Sequence, residues 1–209
     1  MAAVTLTQLL EQLEGRLQQW GAPVVAAFRP GAAPDQVRSA AESTGCRPLP
    51  ELVTWWGWHD GAAGPAVLDG PGIVDRPDAA LLEPWYVISL ADAVRIQRWH
   101  RDDAVTLAQP ELPMPEGWFP VLHFVGAAFL CADTFHCGDG PAPLYLVDPP
   151  GGMPPPPPRA PQFQSLDELV RILIGLFDAG IVTAGEADPR VPSLHGASLV
   201  GEVRRLLVW

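Results

Sequence analysis

The chain has 209 residues, of which 48% are apolar and 18% are charged, and its formal net charge is −11. This length and apolar content predict one generous hydrophobic core and exclude wholesale disorder, while 25 prolines and 20 glycines predict long irregular connections. The excess of acids argues against direct binding to nucleic acid or to an anionic membrane, and it favours a basic protein partner.

The N-terminal sequence and the cysteines indicate the compartment. Residues 1–15, MAAVTLTQLLEQLEG, lack the basic start and the uninterrupted apolar stretch of a signal peptide or membrane anchor. Cys46, Cys131 and Cys137 are an odd and sparse set, which is typical of reduced thiols rather than of a disulfide framework. We therefore expect a cytoplasmic protein without a transmembrane span.

Two helices are predicted in the N-terminal part of the chain. Leucines at helical spacing predict an amphipathic helix over residues 6–20, with a capping box formed by Thr5 and Gln8. Pro34 stands where the first turn of a helix tolerates proline, and Gly45 is suited to a C-terminal cap. The weak apolar stripe between these two residues predicts a short second helix at the surface.

The segment from Leu49 to Gly61 contains Trp55, Trp56 and Trp58. Its Leu-Pro start and its Asp-Gly end predict one or two helical turns followed by a turn. We expect Trp55 and Trp56 to anchor this helix on the sheet as core residues, and Trp58 to approach the solvent. The alternative is that the tryptophans form an aromatic anchor for a partner.

Two segments rich in proline and glycine predict irregular structure. Residues 62–84 indicate a long loop in which Val67-Leu68 and Ile73-Val74 form brief strand pairs. Residues 148–161 contain five consecutive prolines, which favour a stiff polyproline II spacer. A docking ligand for an aromatic groove is the alternative interpretation of this second segment.

Between these loops, residues 85–88 predict a strand and Ser89 predicts the cap of a helix. We expect this helix to end at the charged residues 100–103, and residues 104–117 to form a link punctuated by prolines. Asp102 and Asp103 are most simply a solvated helix boundary, with a partner contact as the alternative.

Three almost continuously apolar runs predict the core of a sheet: Trp118 to Val125, Ala127 to Ala132 and Leu144 to Val147. Gly, Asp and Pro separate the runs, which is typical of strands buried on both faces. The predicted fold class is therefore α+β. We expect a single domain over residues 1–209, with a mostly antiparallel twisted sheet flanked by N- and C-terminal helices.

The C-terminal part of the chain predicts two further helices. Ser165 with Glu168 predicts the capped start of a closing helix that ends at Gly180, and a broad apolar stripe predicts that it is the most buried helix. A last short helix that folds back on the core is predicted by apolar residues at helical spacing, namely Leu199, Val203, Leu206 and Leu207, with Trp209 at its end.

Residue types that bind zinc occur close together at His123, Cys131, Asp133, His136, Cys137 and Asp139. A zinc knuckle needs pairs of ligands about two to four residues apart on turns, whereas Cys131 falls inside an apolar run and His136 and Cys137 are adjacent. The sequence contains neither a Gly-x-Ser-x-Gly elbow nor a Gly-rich phosphate loop. We therefore expect no catalytic residue, no cofactor and no bound metal.

The order of several short motifs resembles that of the SUKH superfamily, the Smi/Knr-type proteins. The Leu-Pro helix with its Gly-closed turn resembles the opening motif of the family, and later motifs follow in the family's order: Trp118-x-Pro120, Phe129 to Asp133, Leu144 to Asp148, and Phe163 to Leu166 with Leu169. The resemblance implies a SUKH-like core over residues 35–180. The chain departs from the family at four places: His59-Asp60 in place of an Asn-containing turn, the insertions 62–84 and 149–162, and the extension 181–209.

The resemblance also implies a function. Many bacterial members of the superfamily are immunity proteins, so we expect a non-enzymatic module that binds and neutralises a cognate toxin. Twelve acids and only four arginines lie between residues 61 and 158, a net charge of −8 that suits a basic partner such as a nuclease toxin. The alternatives are a regulatory or scaffold protein of the Smi/Knr type without a toxin and, third, an enzyme.

The partner site follows from the same resemblance. It places Trp58, His59 and Asp60 at the turn that ends the Leu-Pro helix, and Asp133 and Asp139 at strand ends, near one rim of the sheet. An aromatic anchor flanked by acids is what a basic toxin surface requires. We expect a monomer that contacts neither nucleic acid nor a membrane directly.

Overall fold

The computed structural model describes residues 4–63, 68–69, 72–73, 79–83, 85–106, 114–124, 128–147, 160–185 and 188–194. Within these ranges the chain forms helices and mostly antiparallel strands, as the α+β class requires. The helices are α1 (Leu6–Trp20), α2 (Pro23–Ala27), α3 (Pro34–Ser43), α4 (Pro50–Trp58), α5 (Leu90–Thr106) and α6 (Leu166–Asp178). The strands are β1 (Phe28–Pro30), β2 (His59–Ala62), β3 (Leu68–Asp69), β4 (Gly72–Ile73), β5 (Ala80–Leu82), β6 (Trp85–Val87), β7 (Trp118–Phe124), β8 (Phe129–Asp133), β9 (Leu144–Val147), β10 (Thr183–Ala184) and β11 (Pro192–Ser193).

The first helix has the predicted boundaries and the predicted cap. The Thr5 hydroxyl accepts the Gln8 N–H at 3.3 Å, and the Gln8 side-chain oxygen accepts the Thr5 N–H at 2.9 Å, so the capping box is confirmed. Gly21 ends the helix with a φ of 79°, a left-handed conformation that glycine adopts without strain. The apolar face of α1 is buried through Leu9, Leu10, Leu13 and Leu17.

The central sheet has five strands in the order β5-β6-β7-β8-β9, and every neighbouring pair is antiparallel. The three predicted apolar runs form its consecutive strands β7, β8 and β9, and all five residues of β8 are buried. The positions of the three core strands are therefore confirmed, with small changes at the ends of the runs, but burial on both faces holds for β8 and not for β9, where three of the four residues are half-buried. Val125 and Ala127 lie outside the described residues, and β8 extends to Asp133.

Helices from both ends of the chain pack beside this sheet. α1 contacts α4 and α6, α3 contacts α4 and α5, and α5 lies against β7. In α4, the Trp56 ring meets the Phe119 ring of β7 edge to face, with centroids 5.2 Å apart. Trp55 and Trp56 are both buried, which confirms that they are core residues. One contiguous apolar cluster of described residues joins these helices to the sheet.

The closing helix α6 begins where it was predicted. The Ser165 hydroxyl accepts the Glu168 N–H at 3.0 Å, which satisfies one of the free N–H groups of the first turn. Seven of its side chains are buried, compared with four in α1. Gly180 follows the helix with a φ of 65°.

Three predictions about chain connections are wrong. The predicted loop 62–84 contains a buried strand, β5, because Ala80–Leu82 pairs with β6 at the edge of the sheet. The helix that begins after Ser89 continues to Thr106 instead of ending at residues 100–103, since charged residues are tolerated within a helix and no proline or glycine follows directly. The residues after Trp58 form β2, paired with β1, rather than a turn, and His59 has an extended backbone.

The brief strand pair in the 62–84 segment is observed one residue away from its predicted position, between β3 and β4. The C-terminal extension forms the β10–β11 hairpin, and the Glu83 N–H next to β5 donates to the Pro192 carbonyl at 2.7 Å. Residues 148–159, with the predicted polyproline spacer, and residues 195–209, with the predicted last helix, lie outside the described residues. No helix in the described part of the chain is both long and apolar enough to span a membrane.

Candidate functional site

The five predicted partner residues fall into two groups at opposite ends of α4. Trp58, His59 and Asp60 stand at its C-terminal end. Asp133 is the last residue of β8 and Asp139 lies in the β8–β9 connection, which contacts Arg47 in the segment before α4. A nine-residue helix is about 13 Å long, so the two groups do not form one cluster.

The group at the C-terminal end of α4 is tied into the fold. The Trp58 indole N–H donates to Glu14 Oε2 of α1 at 3.0 Å, and His59 Nε2 lies 3.2 Å from the same oxygen. His59 Nδ1 lies 3.1 Å from the Arg29 carbonyl, and the Phe28 ring stacks on the imidazole with centroids 4.0 Å apart. Both side chains are half-buried, and their polar atoms already serve contacts among α1, β1 and α4. We conclude that Trp58 and His59 stabilise the fold, whatever else they contact.

Asp60 links β2 to the start of α5. Its Oδ1 accepts the Leu90 N–H at 2.6 Å, while the Ser89 hydroxyl caps the Asp92 N–H at 3.0 Å. A Cβ atom on Gly61 would lie 2.6 Å from the Ser89 nitrogen, so only glycine allows β2 to approach α5 this closely. Asp60 thus supplies a cap to a helix 30 residues further along the chain.

Asp133 stands at the end of β8, as expected, but it is not a surface charge. Its side chain is only 5% exposed. Oδ1 accepts the backbone N–H groups of Phe135 and His136 at 3.0 and 3.1 Å, and Oδ2 lies 2.8 Å from His136 Nδ1. These contacts stabilise the turn after β8. They also compensate the Asp133 carboxylate for the hydration that it loses on burial.

Asp139 and its neighbours are exposed on the connection between β8 and β9. The Asp139 side chain is fully exposed and lies 3.7 Å from Arg47 Nη2, while Arg47 Nη1 donates to the Gly138 carbonyl at 2.7 Å. Phe135 is 42% exposed. Its ring lies over Gly117 and fills the space that a side chain at position 117 would need. The His136 side chain is also largely exposed.

An aromatic pair continues this surface onto the sheet. The rings of Trp118 and Tyr145 stack with centroids 4.6 Å apart and an interplanar angle of 19°, and both are half-buried. Phe119 faces the helices, so Trp118 lies on the opposite face of the sheet. Burial, and secondly the charge of Asp133, raise the pKa of Tyr145. We call the surface of Trp118, Tyr145, Phe135, His136 and Asp139 the β8 rim.

Among the residues of zinc-binding type, Asp133 and His136 are in contact, but the described residues provide no third ligand at that point. His123 is buried in β7 between the rings of Tyr86 and Phe129, with centroids 5.6 and 5.4 Å away. Burial, and secondly Cys46, hold the pKa of the buried Cys131 thiol well above its usual range. Across the described ranges, no group of three or more His, Cys, Asp or Glu side chains is arranged to hold a metal ion.

Glu51, in the first turn of α4, holds three parts of the fold together. One carboxylate oxygen accepts the Ala142 N–H from the β8–β9 connection, and the other accepts the Leu166 N–H at the start of α6 at 3.3 Å. Burial is the main cause that raises the pKa of Glu51. The sequence offers only a weak signal for this role, because an acid after a helix-starting proline ordinarily interacts with its own helix end.

Comparison with known proteins gives no further guide to this site, since the sequence matches no protein-family model and no curated protein.

Proposed function

We propose that the protein is a non-enzymatic, SUKH-like protein-binding module that acts as a cytoplasmic immunity protein against a basic toxin. The observation that supports this proposal best is the β8 rim, where exposed Phe135 packs over Gly117 next to the stacked Trp118–Tyr145 pair and shares the β8–β9 connection with the fully exposed Asp139. Aromatic side chains at the centre of an interface with charge at its edge are typical of protein recognition sites.

The charge of the chain supports a basic partner. The net charge is −11, and the segment 61–158, which contains the rim, carries twelve acids and only four arginines. A toxin that acts on nucleic acid needs a basic surface to bind phosphates. An acidic binder is attracted to that surface at long range, which accelerates association, and it competes with the nucleic acid once bound.

The residues beside the rim support an enzymatic function less well than a binding function. The Asp133–His136 pair, with 2.8 Å between Oδ2 and Nδ1, is an arrangement that orients a general base in hydrolases. The adjacent thiol, Cys137, donates instead to the Thr134 carbonyl at 3.5 Å, and burial is the first cause that raises its pKa. A thiol held in this way is a poor nucleophile, because the thiolate is the reactive form.

The decisive experiment first establishes whether a toxin domain is encoded next to this gene and then measures the binding kinetics against that domain. Asp139→Arg is expected to slow association about threefold or more and to weaken its dependence on salt, because it reverses an exposed charge. Phe135→Ala is expected to speed dissociation about fivefold or more, because it removes an exposed aromatic anchor. Glu11→Arg is the matched control, since it reverses an exposed acid on α1, outside the rim.

Each variant must keep the thermal midpoint of the parent, so that a change of rate reports the interface alone. If both rim variants bind with unchanged rates, the interface lies elsewhere. If no toxin gene is adjacent and the protein instead copurifies with a cell-wall or signalling complex, the regulatory or scaffold function replaces the immunity function.

A further inference from the structure

A groove of about 360 Å³ runs between α3 and α5, away from the β8 rim. Small apolar side chains form much of its walls, with Ala40 from α3 and Ala91 and Val94 from α5. Two polar side chains also line it, Asp60 and Gln36. Asp60 is the sole ionisable residue among the described residues that line the groove.

Only one oxygen of the Asp60 carboxylate accepts a hydrogen bond from the described residues. Oδ1 accepts the Leu90 N–H at 2.6 Å. No donor among the described residues lies within hydrogen-bond distance of Oδ2, and Asp60 is half-buried rather than fully solvated. A carboxylate oxygen has room for further donors, and a partly desolvated one favours a charged donor over a neutral one.

The arginines near the groove have contacts of their own. Arg38 lies 2.8 Å from Asp35, and Arg95 lies 3.8 Å from Asp92. Arg98 reaches across from α5 to the Ser43 hydroxyl of α3 at 3.4 Å. These contacts leave Asp60 without a basic counter-ion from the described residues.

We propose that this groove binds an arginine side chain of the protein partner. The aliphatic stem of arginine packs along apolar walls such as Ala40, Ala91 and Val94, and its guanidinium donates to Asp60 Oδ2. The Gln36 carbonyl oxygen, which already accepts the Ala33 N–H at 2.8 Å, has a second lone pair for another guanidinium N–H. The partner is the basic protein of the proposed function, so this inference rests on that function for the identity of the partner.

The binding of arginine itself is tested without any toxin. The full ¹⁵N-labelled chain is titrated with acetyl-Gly-Arg-Gly-amide and, separately, with the citrulline peptide of the same length, which keeps the shape but lacks the charge. The arginine peptide is expected to cause saturable shifts of the backbone amides of Ala40, Ala91 and Val94. The citrulline peptide is expected to bind at least about fivefold more weakly, because it cannot form the ion pair.

Three variants make the result specific. Asp60→Asn keeps a carbonyl oxygen for the Leu90 N–H and removes only the charge, so the fold persists while peptide affinity falls about fivefold or more. Ala91→Met, at an exposed helix position, fills the groove and blocks binding. Glu42→Gln removes an exposed acid of α3 that does not line the groove. The affinity of this variant for the arginine peptide is expected to match that of the parent.

Equal affinity for both peptides, unchanged affinity of Asp60→Asn, or shifts confined to the β8 rim would each overturn the inference. The outcome is distinguishable from failure of the proposed function. If the adjacent gene encodes no toxin but the arginine peptide binds as described, the groove stands and only its partner changes. If the toxin binds through the rim and the peptide leaves the groove amides unshifted, the groove inference fails alone.

Discussion

The indole N–H of Trp58 donates a hydrogen bond to the Glu14 carboxylate, 3.0 Å away, across 44 residues of sequence. The bond joins the C-terminal end of α4 to the middle of α1, and the Phe28 ring packs edge to face on the same indole with centroids 5.0 Å apart. A tryptophan expected to approach the solvent is thus half-buried and shared by three elements.

Substitution of Trp58 tests this role. Trp58→Phe keeps the aromatic contact and loses the donor, so we expect the free energy of unfolding to fall by about 1 kcal/mol. Trp58→Ala also loses the half-buried ring and is expected to cost about 2–3 kcal/mol. Urea unfolding measures both values. In a Glu14→Ala background, which has no acceptor for the indole N–H, the cost of Trp58→Phe should shrink, and an identical cost would refute the hydrogen bond as its cause.

Asp133 and Asp139 are expected to behave differently, although both were predicted to contact a partner. Asp133→Ala removes the acceptor of three hydrogen bonds in a buried turn, and we expect it to lower the free energy of unfolding by about 2–3 kcal/mol. Asp139→Ala removes a fully exposed charge and is expected to leave the thermal midpoint unchanged. Equal stability of the two variants in thermal unfolding would contradict the structure of this turn.

Glu51 predicts a dependence of stability on pH. Burial raises its pKa in the folded state, so the folded protein holds this proton more tightly than the unfolded chain does. Its contribution to stability is therefore fully present below the unfolded pKa of about 4.3, and it is lost as the pH rises through the raised folded pKa. Glu51→Gln cannot titrate, so relative to the parent it should gain stability as the pH rises above about 4.3.

The measurement is urea unfolding of both proteins at a series of pH values from below the unfolded pKa upwards. The exposed Glu42→Gln variant controls for the loss of one acid. Parallel pH profiles of Glu51→Gln and the parent would mean that burial does not perturb this carboxyl. The variant also weakens one backbone contact, since an amide nitrogen cannot accept the N–H that a carboxylate oxygen accepts, so the change with pH is the diagnostic quantity.

Leu173 tests the packing of α6. Its side chain is 1% exposed within the main apolar cluster. We expect Leu173→Ala to cost about 2–5 kcal/mol and Leu173→Asp to abolish cooperative unfolding, because an unpaired buried charge exceeds the stability of an ordinary domain. Arg171→Ala, on the exposed side of the same helix, should change little. A sharp thermal transition of Leu173→Asp at the parental midpoint would rule out this burial.

Local chemistry allowed much of the fold to be predicted. Helix ends are set by interactions over three or four residues, so they can be predicted without the rest of the chain. Examples are the Thr5–Gln8 capping box, the Ser165 cap and the glycines after α1 and α6. The three apolar runs likewise require burial wherever the chain places them. Helix α5 was longer than predicted because nothing local distinguishes a charged helix end from a charged helix face.

The sequence by itself therefore determined the α+β class, the core strands β7 to β9, the main caps and the net charge of −11. Only the tertiary structure decided which polar residues are free to bind. Asp60, Asp133 and Asp139 are chemically alike in the sequence, yet the first caps a distant helix, the second closes a buried turn and the third is exposed. Their roles differ because the N–H groups that donate to a carboxylate oxygen belong to residues that only folding brings within about 3 Å of it.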